Sequence, residues 1–144
     1  MRVFLTGGTG LIGSHVAERL RARGDEVVAL HRQGSDAGFL RELRCTLVSG
    51  DVRDAPETLA LGMRGCRAVV HGAALVYAEE SWPRVHAVNV EGTKNVLRAA
   101  ALAAAVRAPP FFGRGLRGGA GSDRRGYADR FSAFSRRSLR AFEA

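Results

Sequence analysis

Three glycines near the amino end carry the first chemical signal in this chain. Gly7, Gly10 and Gly13 follow the apolar run Val3-Phe4-Leu5 and Thr6, and Leu11, Val16 and Leu20 recur behind them at helical spacing. A buried strand, a glycine turn and a helix in that order let the backbone approach a phosphate with no Cβ in the way. The free N–H groups and the positive end of the helix dipole then face the anion. The string predicts a cradle for the pyrophosphate of a dinucleotide, with Gly7, Thr9, Gly10, Leu11 and Ile12 as its contacts. Gly8, Gly10 and Gly13 also satisfy G-x-G-x-x-G, a pattern that gains weight only from the strand before it and the helix after it.

A second signal lies at His31-Arg32, where the next apolar run, Glu26 to Leu30, comes to its end. In a fold of this kind the end of the second strand reaches the adenosine ribose. An acid there would take the two ribose hydroxyls, whereas an arginine pairs with a 2′-phosphate. Neither position is acidic, so Arg32, with His31 beside it, favours NADP and leaves NAD as the alternative.

These residues need elements to position them, and the first 105 residues alternate short β-branched runs with longer amphipathic ones. That is the pattern of a parallel sheet with crossover helices. Gly24-Asp25 stops the first helix, and Cys45 to Ser49 makes a third strand closed by Gly50-Asp51-Val52-Arg53-Asp54. Gln33 to Arg44 reads as a loop with at most a short helix. Pro56 to Met63 is a short helix for which Asp54 is the expected N-cap. Arg67 to His71 is a fourth strand running into Gly72-Ala73-Ala74, small residues suited to a crevice wall at the strand tips. His71 itself reads as a hydrogen-bonded core residue rather than a catalyst. A long helix follows from Trp82 or Pro83 to Ala105, with Val85, Val88, Val96 and Leu97 marking one face. Gly92 inside it costs about 1 kcal/mol relative to alanine, and close packing against the sheet is the expected reason.

Four strings now stand in order: Thr6-Gly7-x-x-Gly10-Leu11-Ile12-Gly13, Gly50-Asp51-Val52-x-Asp54, His71-x-Ala73-Ala74 and Asn89-x-x-Gly92-Thr93-x-Asn95. Together they resemble the extended short-chain dehydrogenase/reductases, the family of the NAD-dependent sugar epimerases and dehydratases, over residues 1 to about 105. The resemblance implies an α/β, partial Rossmann-like, doubly wound parallel sheet in the order 3-2-1-4. It further implies that Asp51 hydrogen-bonds the adenine amino group and that the Val52 backbone lies along the adenine ring. Ala73 and Ala74 would pack against the nicotinamide ribose, and Asn89 would stand near the cofactor. The implied activity is an oxidoreductase, epimerase or dehydratase acting on a nucleotide sugar or a similar alcohol.

Past residue 105 the resemblance stops. The family's Tyr-x-x-x-Lys couple is absent: Tyr77 is followed at the fourth place by Ser81, Tyr127 by Phe131, and the sole lysine, Lys94, belongs to the long helix. No catalytic residue can be assigned, and the chain is expected to bind dinucleotide without hydride transfer. Residues Val106-Arg107-Ala108-Pro109-Pro110 cannot make the expected central strand, because paired prolines remove ladder donors. Two other readings stay open, an active NADP-dependent enzyme using residues outside the family pattern and a dinucleotide-sensing or RNA-binding module.

Composition bounds the rest. The chain has 144 residues and a net charge of +8, but residues 1–105 hold 13 Lys and Arg against 11 acids, and residues 106–144 hold 9 Arg against 3 acids. The basicity therefore belongs to an Arg/Gly-rich tail. Such a composition is what a shifted reading frame of a GC-rich gene would encode, and a frameshifted or truncated reductase is the expectation. Arg114-Gly115-Leu116-Arg117-Gly118-Gly119 is a weak nucleic-acid signal. Residues 128–143 place Phe131, Phe134, Leu139 and Phe142 on one helical face, suited to covering the edge of strand four. Left bare, that edge invites self-association. Cys45 and Cys66 fit neither a disulfide framework nor a metal spacing and read as reduced thiols in or near the core of a cytoplasmic protein. Ala99 to Val106 is too short an apolar run to span a membrane, and the amino end does not read as a signal peptide.

Overall fold

The structure, a computed structural model, describes residues 1–75 and 80–107. Its elements are β1 (Arg2–Thr6), α1 (Leu11–Ala22), β2 (Glu26–His31), α2 (Gly38–Glu42), β3 (Thr46–Ser49), α3 (Pro56–Gly62), β4 (Ala68–His71), α4 (Trp82–Val85), a π-helical stretch (His86–Glu91) and α5 (Gly92–Arg107). All four strands are parallel in the order β3-β2-β1-β4, the order anticipated from the sequence. The expectations for residues 108–144, including the helix over 128–143 and its cover of the β4 edge, lie outside the described residues, as does Tyr77.

β1 and β2 are apolar at successive positions because both faces of the sheet are covered. Phe4, Val28 and Leu30 point to one face, where they pack with Val52, Leu59, Met63, Val96 and Ala99 from the β3 loop, α3 and α5. Leu5, Val27 and Ala29 point to the other, against Ala17 of α1 and Leu40 of α2. Register brings Thr6 level with Leu30 on one side and His71 on the other, and His31 level with Ser49. The carboxyl ends of all four strands thus finish along one edge, where a doubly wound sheet places its ligands.

The turn after α1 is held by Asp25, which is buried and accepts from Arg23 and from the Met1 ammonium. The Met1 ammonium, followed by the Arg23 guanidinium, holds the Asp25 carboxyl below its ordinary value. Cys45 is buried, and that burial pushes its thiol up.

Several local expectations are corrected. Leu11 is 78% exposed, so α1 faces the sheet through Gly13 and Ala17, with Val16 and Leu20 at the margin. Leu97 is 51% exposed although it was assigned to the buried face. It directly follows the buried Val96, and adjacent residues of an α-helix point about 100° apart, so the two do not share one buried face. Asp54 does not cap α3. Ala55 occupies the N-cap position with no side-chain bond, and the Asp54 carboxylate accepts the Asp51 N–H at 2.7 Å instead. Gly92 packs against Val52 of the β3 loop rather than against the sheet: a Cβ there would lie 2.7 Å from Val52 Cγ2.

Phe4, fully buried in the core of the first face, is the largest of the fully buried side chains among the described residues. Phe4→Ala is expected to cost about 3–5 kcal/mol, read as a lower urea midpoint at unchanged slope.

Candidate functional site

A cleft opens at the carboxyl edge of the sheet. Thr6, Gly7, Thr9 and Gly10 line it from the β1 turn, and Leu30, His31 and Arg32 from the end of β2. Gly50, Asp51 and Val52 enter from the β3 loop, Gly72 to Leu75 from the loop after β4, and Val88 from the π-helical stretch. Nine of the twelve residues named from the sequence are therefore brought together: Gly7, Thr9, Gly10, His31, Arg32, Asp51, Val52, Ala73 and Ala74. Gly72 also lines the cleft, as expected of the crevice wall; Thr6, Leu30, Gly50 and Leu75 were missed, yet each adjoins a named residue at a strand end. Val88 had been assigned to the helix face, and nothing in its spacing marked it as a cleft residue.

Steric constraints fix the turn. Gly7 has φ +74°, and a Cβ on it would stand 2.5 Å from the Gly72 carbonyl carbon and 2.6 Å from the Ala73 nitrogen. A Cβ on Gly13 would stand 2.0 Å from the Gly7 carbonyl oxygen. Only glycine lets the turn touch the β4 loop on one side and the first turn of α1 on the other. The α1 N-cap is Gly10, in extended conformation and with no side-chain cap. The first N–H groups of the helix are consequently left for an acceptor outside the helix. Leu11 and Ile12 do not line the cleft with their side chains, which are exposed; what they can offer it is backbone N–H.

The three remaining loops differ in chemistry. Arg32 is exposed at the cleft and free to meet an anion. Asp51 is gripped by Arg53, which donates from Nε and from a terminal nitrogen at 2.9 Å each, and from its backbone N–H. That grip holds the Asp51 carboxyl below its ordinary value despite partial burial. Arg53 was not anticipated, since neither its spacing nor the matched string marks it. The carboxylate nonetheless keeps lone pairs for a further donor.

Asn89 is placed differently from the expectation. Its amide oxygen accepts the Leu75 N–H at 2.8 Å and its amide nitrogen donates to the Leu75 carbonyl at 2.9 Å. The side chain is spent on holding the loop after β4 and is not part of the cleft lining. Asn95 likewise donates to the Val52 carbonyl at 3.3 Å. His71 is half-buried, as its expected core role requires, and bonded through both ring nitrogens, to Thr6 at 2.6 Å and Thr93 at 3.0 Å. Burial lowers its pKa from 6.5. Among the described residues no group of three His, Cys, Asp or Glu side chains could hold a metal, and no helix is long and apolar enough to cross a membrane.

The comparisons agree with this geometry. Residues 3–111 match the NAD dependent epimerase/dehydratase family, and the chain belongs to that family. The match runs a few residues past the expected boundary at 105, as does α5. The chain is 40% identical over 100 residues to the 4-hydroxy-2-methyl-3-oxo-4-farnesyl-3,4-dihydroquinoline-1-oxide ketoreductase of Stigmatella aurantiaca, covering 69% of this chain and 30% of that protein. It is 37% identical over 103 residues to the human (Homo sapiens) 3 beta-hydroxysteroid dehydrogenase type 7, covering 66% and 28%. Among solved structures it is similar to the UDP-glucose-4-epimerase of Stenotrophomonas maltophila with bound NAD and formylated UDP-arabinopyranose, at a TM-score of 0.65 and 32% identity, covering 72% of this chain and 34% of that one. The chain thus spans about 30% of the length of the curated relatives it matches.

Two measurements check the site's construction. Gly13→Ala is expected to cost at least about 1–3 kcal/mol, the range for forcing extra atoms into packed structure, because the atom in its way is backbone; a urea titration reads it. His71 carries a proton in the unfolded chain before it does in the folded one, since its folded pKa is the lower. Its contribution to stability is therefore complete above pH 6.5 and declines as pH falls from 6.5 toward the lowered folded value. The difference in stability between wild type and His71→Gln, followed across that range, is expected to shrink on acidification.

Proposed function

We propose that this chain binds a nicotinamide dinucleotide in the cleft, NADP in preference to NAD, and that the 144 residues perform no hydride transfer by themselves. The observation that carries the reading is the Gly7 turn, a backbone surface kept bare of Cβ atoms directly beside an uncapped helix N-terminus. In this reading the backbone of Gly7, Thr9, Gly10, Leu11 and Ile12 holds the pyrophosphate. Arg32, with His31 beside it, takes the 2′-phosphate. Asp51 and Val52 take the adenine, and Ala73 and Ala74 flank the nicotinamide ribose, with Asn89 acting at one remove by clamping Leu75.

The bound cofactor would supply or accept the hydride. The chain would have to supply the proton, and the family's means of doing so, Tyr-x-x-x-Lys, is not in the sequence. In the described cleft the ionisable side chains are His31, Arg32 and Asp51. Arginine keeps its proton at any working pH, and Asp51, held low by Arg53, is ionised near neutrality. A carbonyl or nucleotide-sugar substrate would be served only where further residues complete the site.

Calorimetric titration with NADP and with NAD tests cradle and arginine together. Wild type is expected to bind NADP more tightly, and Arg32→Ala to lose about tenfold in NADP affinity with NAD unchanged, the equivalent of one charge-assisted hydrogen bond. A steady-state assay with NADPH and a panel of carbonyl substrates is expected to show no turnover; measurable turnover would contradict the second half of the reading.

A further inference from the structure

The loop that walls the cleft after β4 is tied to two other elements through a single imidazole. Thr93 Oγ1 sits 2.7 Å from the Asn89 carbonyl oxygen, which can only accept, so the Thr93 hydroxyl proton is used there. Toward His71 Nε2, at 3.0 Å, Thr93 must then be the acceptor, which places the ring proton on Nε2. The bare Nδ1 accepts from the Thr6 hydroxyl at 2.6 Å. With its own proton committed, Thr6 Oγ1 accepts the Ala73 N–H at 3.3 Å. Each link leaves one direction for the next, and the chain runs from α5 across β4 to β1 and back to the cleft wall.

Its ends are not arbitrary. Thr6 is fully buried and precedes Gly7, and Ala73 nitrogen is one of the atoms that a Gly7 Cβ would strike. The relay therefore sets the spacing between the phosphate turn and the wall beside it. Thr93 does not line the cleft. Resting on the reading of the cleft as a dinucleotide site, we propose that His71 is a positioning residue. Held as the neutral Nε2–H tautomer between Thr93 and Thr6, it fixes the Ala73 backbone that closes the nicotinamide end of the cleft. It touches no ligand; it acts through Thr6 and Ala73. A second proton on Nδ1 would turn the Thr6 hydroxyl from donor to acceptor in that contact and send its own proton in search of another partner.

The test uses the full chain labelled with nitrogen-15 at histidine. Near neutral pH and without ligand, the His71 ring is expected to show a protonated Nε2 and a bare Nδ1; a proton on Nδ1 would overturn the assignment. Thr93→Val removes the acceptor for Nε2–H from outside the cleft, and Thr93→Ser keeps it. Thr93→Val is expected to bind NADP about tenfold more weakly, the size of one hydrogen bond lost. Its affinity for adenosine 2′,5′-bisphosphate, which lacks the nicotinamide end, is expected to be unchanged, and Thr93→Ser to restore NADP binding. Wild-type NADP affinity in Thr93→Val, or an equal loss for both ligands, would refute positioning by this route. If Thr93→Val does not fold, the wild-type ring spectrum still decides the tautomer. If wild type binds no NADP, the reading of the cleft fails while the ring spectrum still reports on the relay.

Discussion

Backbone meets backbone at Gly7. The carbonyl carbon of Gly72 and the nitrogen of Ala73 occupy the space that any side chain at position 7 would need, and the Gly7 oxygen occupies the space of a side chain at position 13. From this double contact follows the rest of the cleft. α1 can begin close enough to the sheet to aim its uncapped N–H groups across the strand ends, and the loop after β4 can stand directly beside them. A larger residue at either position would push helix and wall apart and fill the cradle with its own atoms.

Behind that contact stands a second device, the string from Asn89 to Asn95. None of Asn89, Thr93 and Asn95 lines the cleft, yet Asn89 and Asn95 each hold a residue that does, and Thr93 holds the imidazole behind it. Asn89 clamps Leu75, Thr93 reaches His71, and Asn95 reaches the Val52 carbonyl, while Gly92 admits the Val52 side chain. The β3-loop side and the β4-loop side of the cleft are thus set by neighbouring residues of the π-helical stretch and the first turn of α5. The π-helical winding over His86–Glu91 rotates the side chains of this segment relative to a regular α-helix, and Asn89 lies within it.

The strands and the glycine turn were legible in the sequence because their signals are short-range. Val3-Phe4-Leu5 and Val27-Val28-Ala29-Leu30 are apolar at every position, as strands covered on both faces must be, and the sheet order followed from the family resemblance. What escaped was long-range or phase-dependent. The role of Asn89 depends on Leu75, and the partners of His71 lie 65 and 22 residues away, so no local pattern announces them. Asp54 carries the composition of a helix cap, but the tight loop at Asp51 competes for its carboxylate. Leu97 was expected on the face of Val96, but adjacent residues of an α-helix point about 100° apart, and only Val96 is buried. Arg53 and Asp51 are two residues apart, and their pairing depends on a loop conformation that composition does not specify.

The central claim is that the first backbone N–H groups of α1 and its turn receive a dinucleotide's phosphates. Amide nitrogen–proton spectra recorded while NADP is added test it most directly. The account predicts that the amides of Gly7, Gly10, Leu11 and Ile12 shift together and saturate with the same affinity as Arg32 and Ala73. If NADP binds with those four amides unmoved, the phosphates lie elsewhere and the account is wrong.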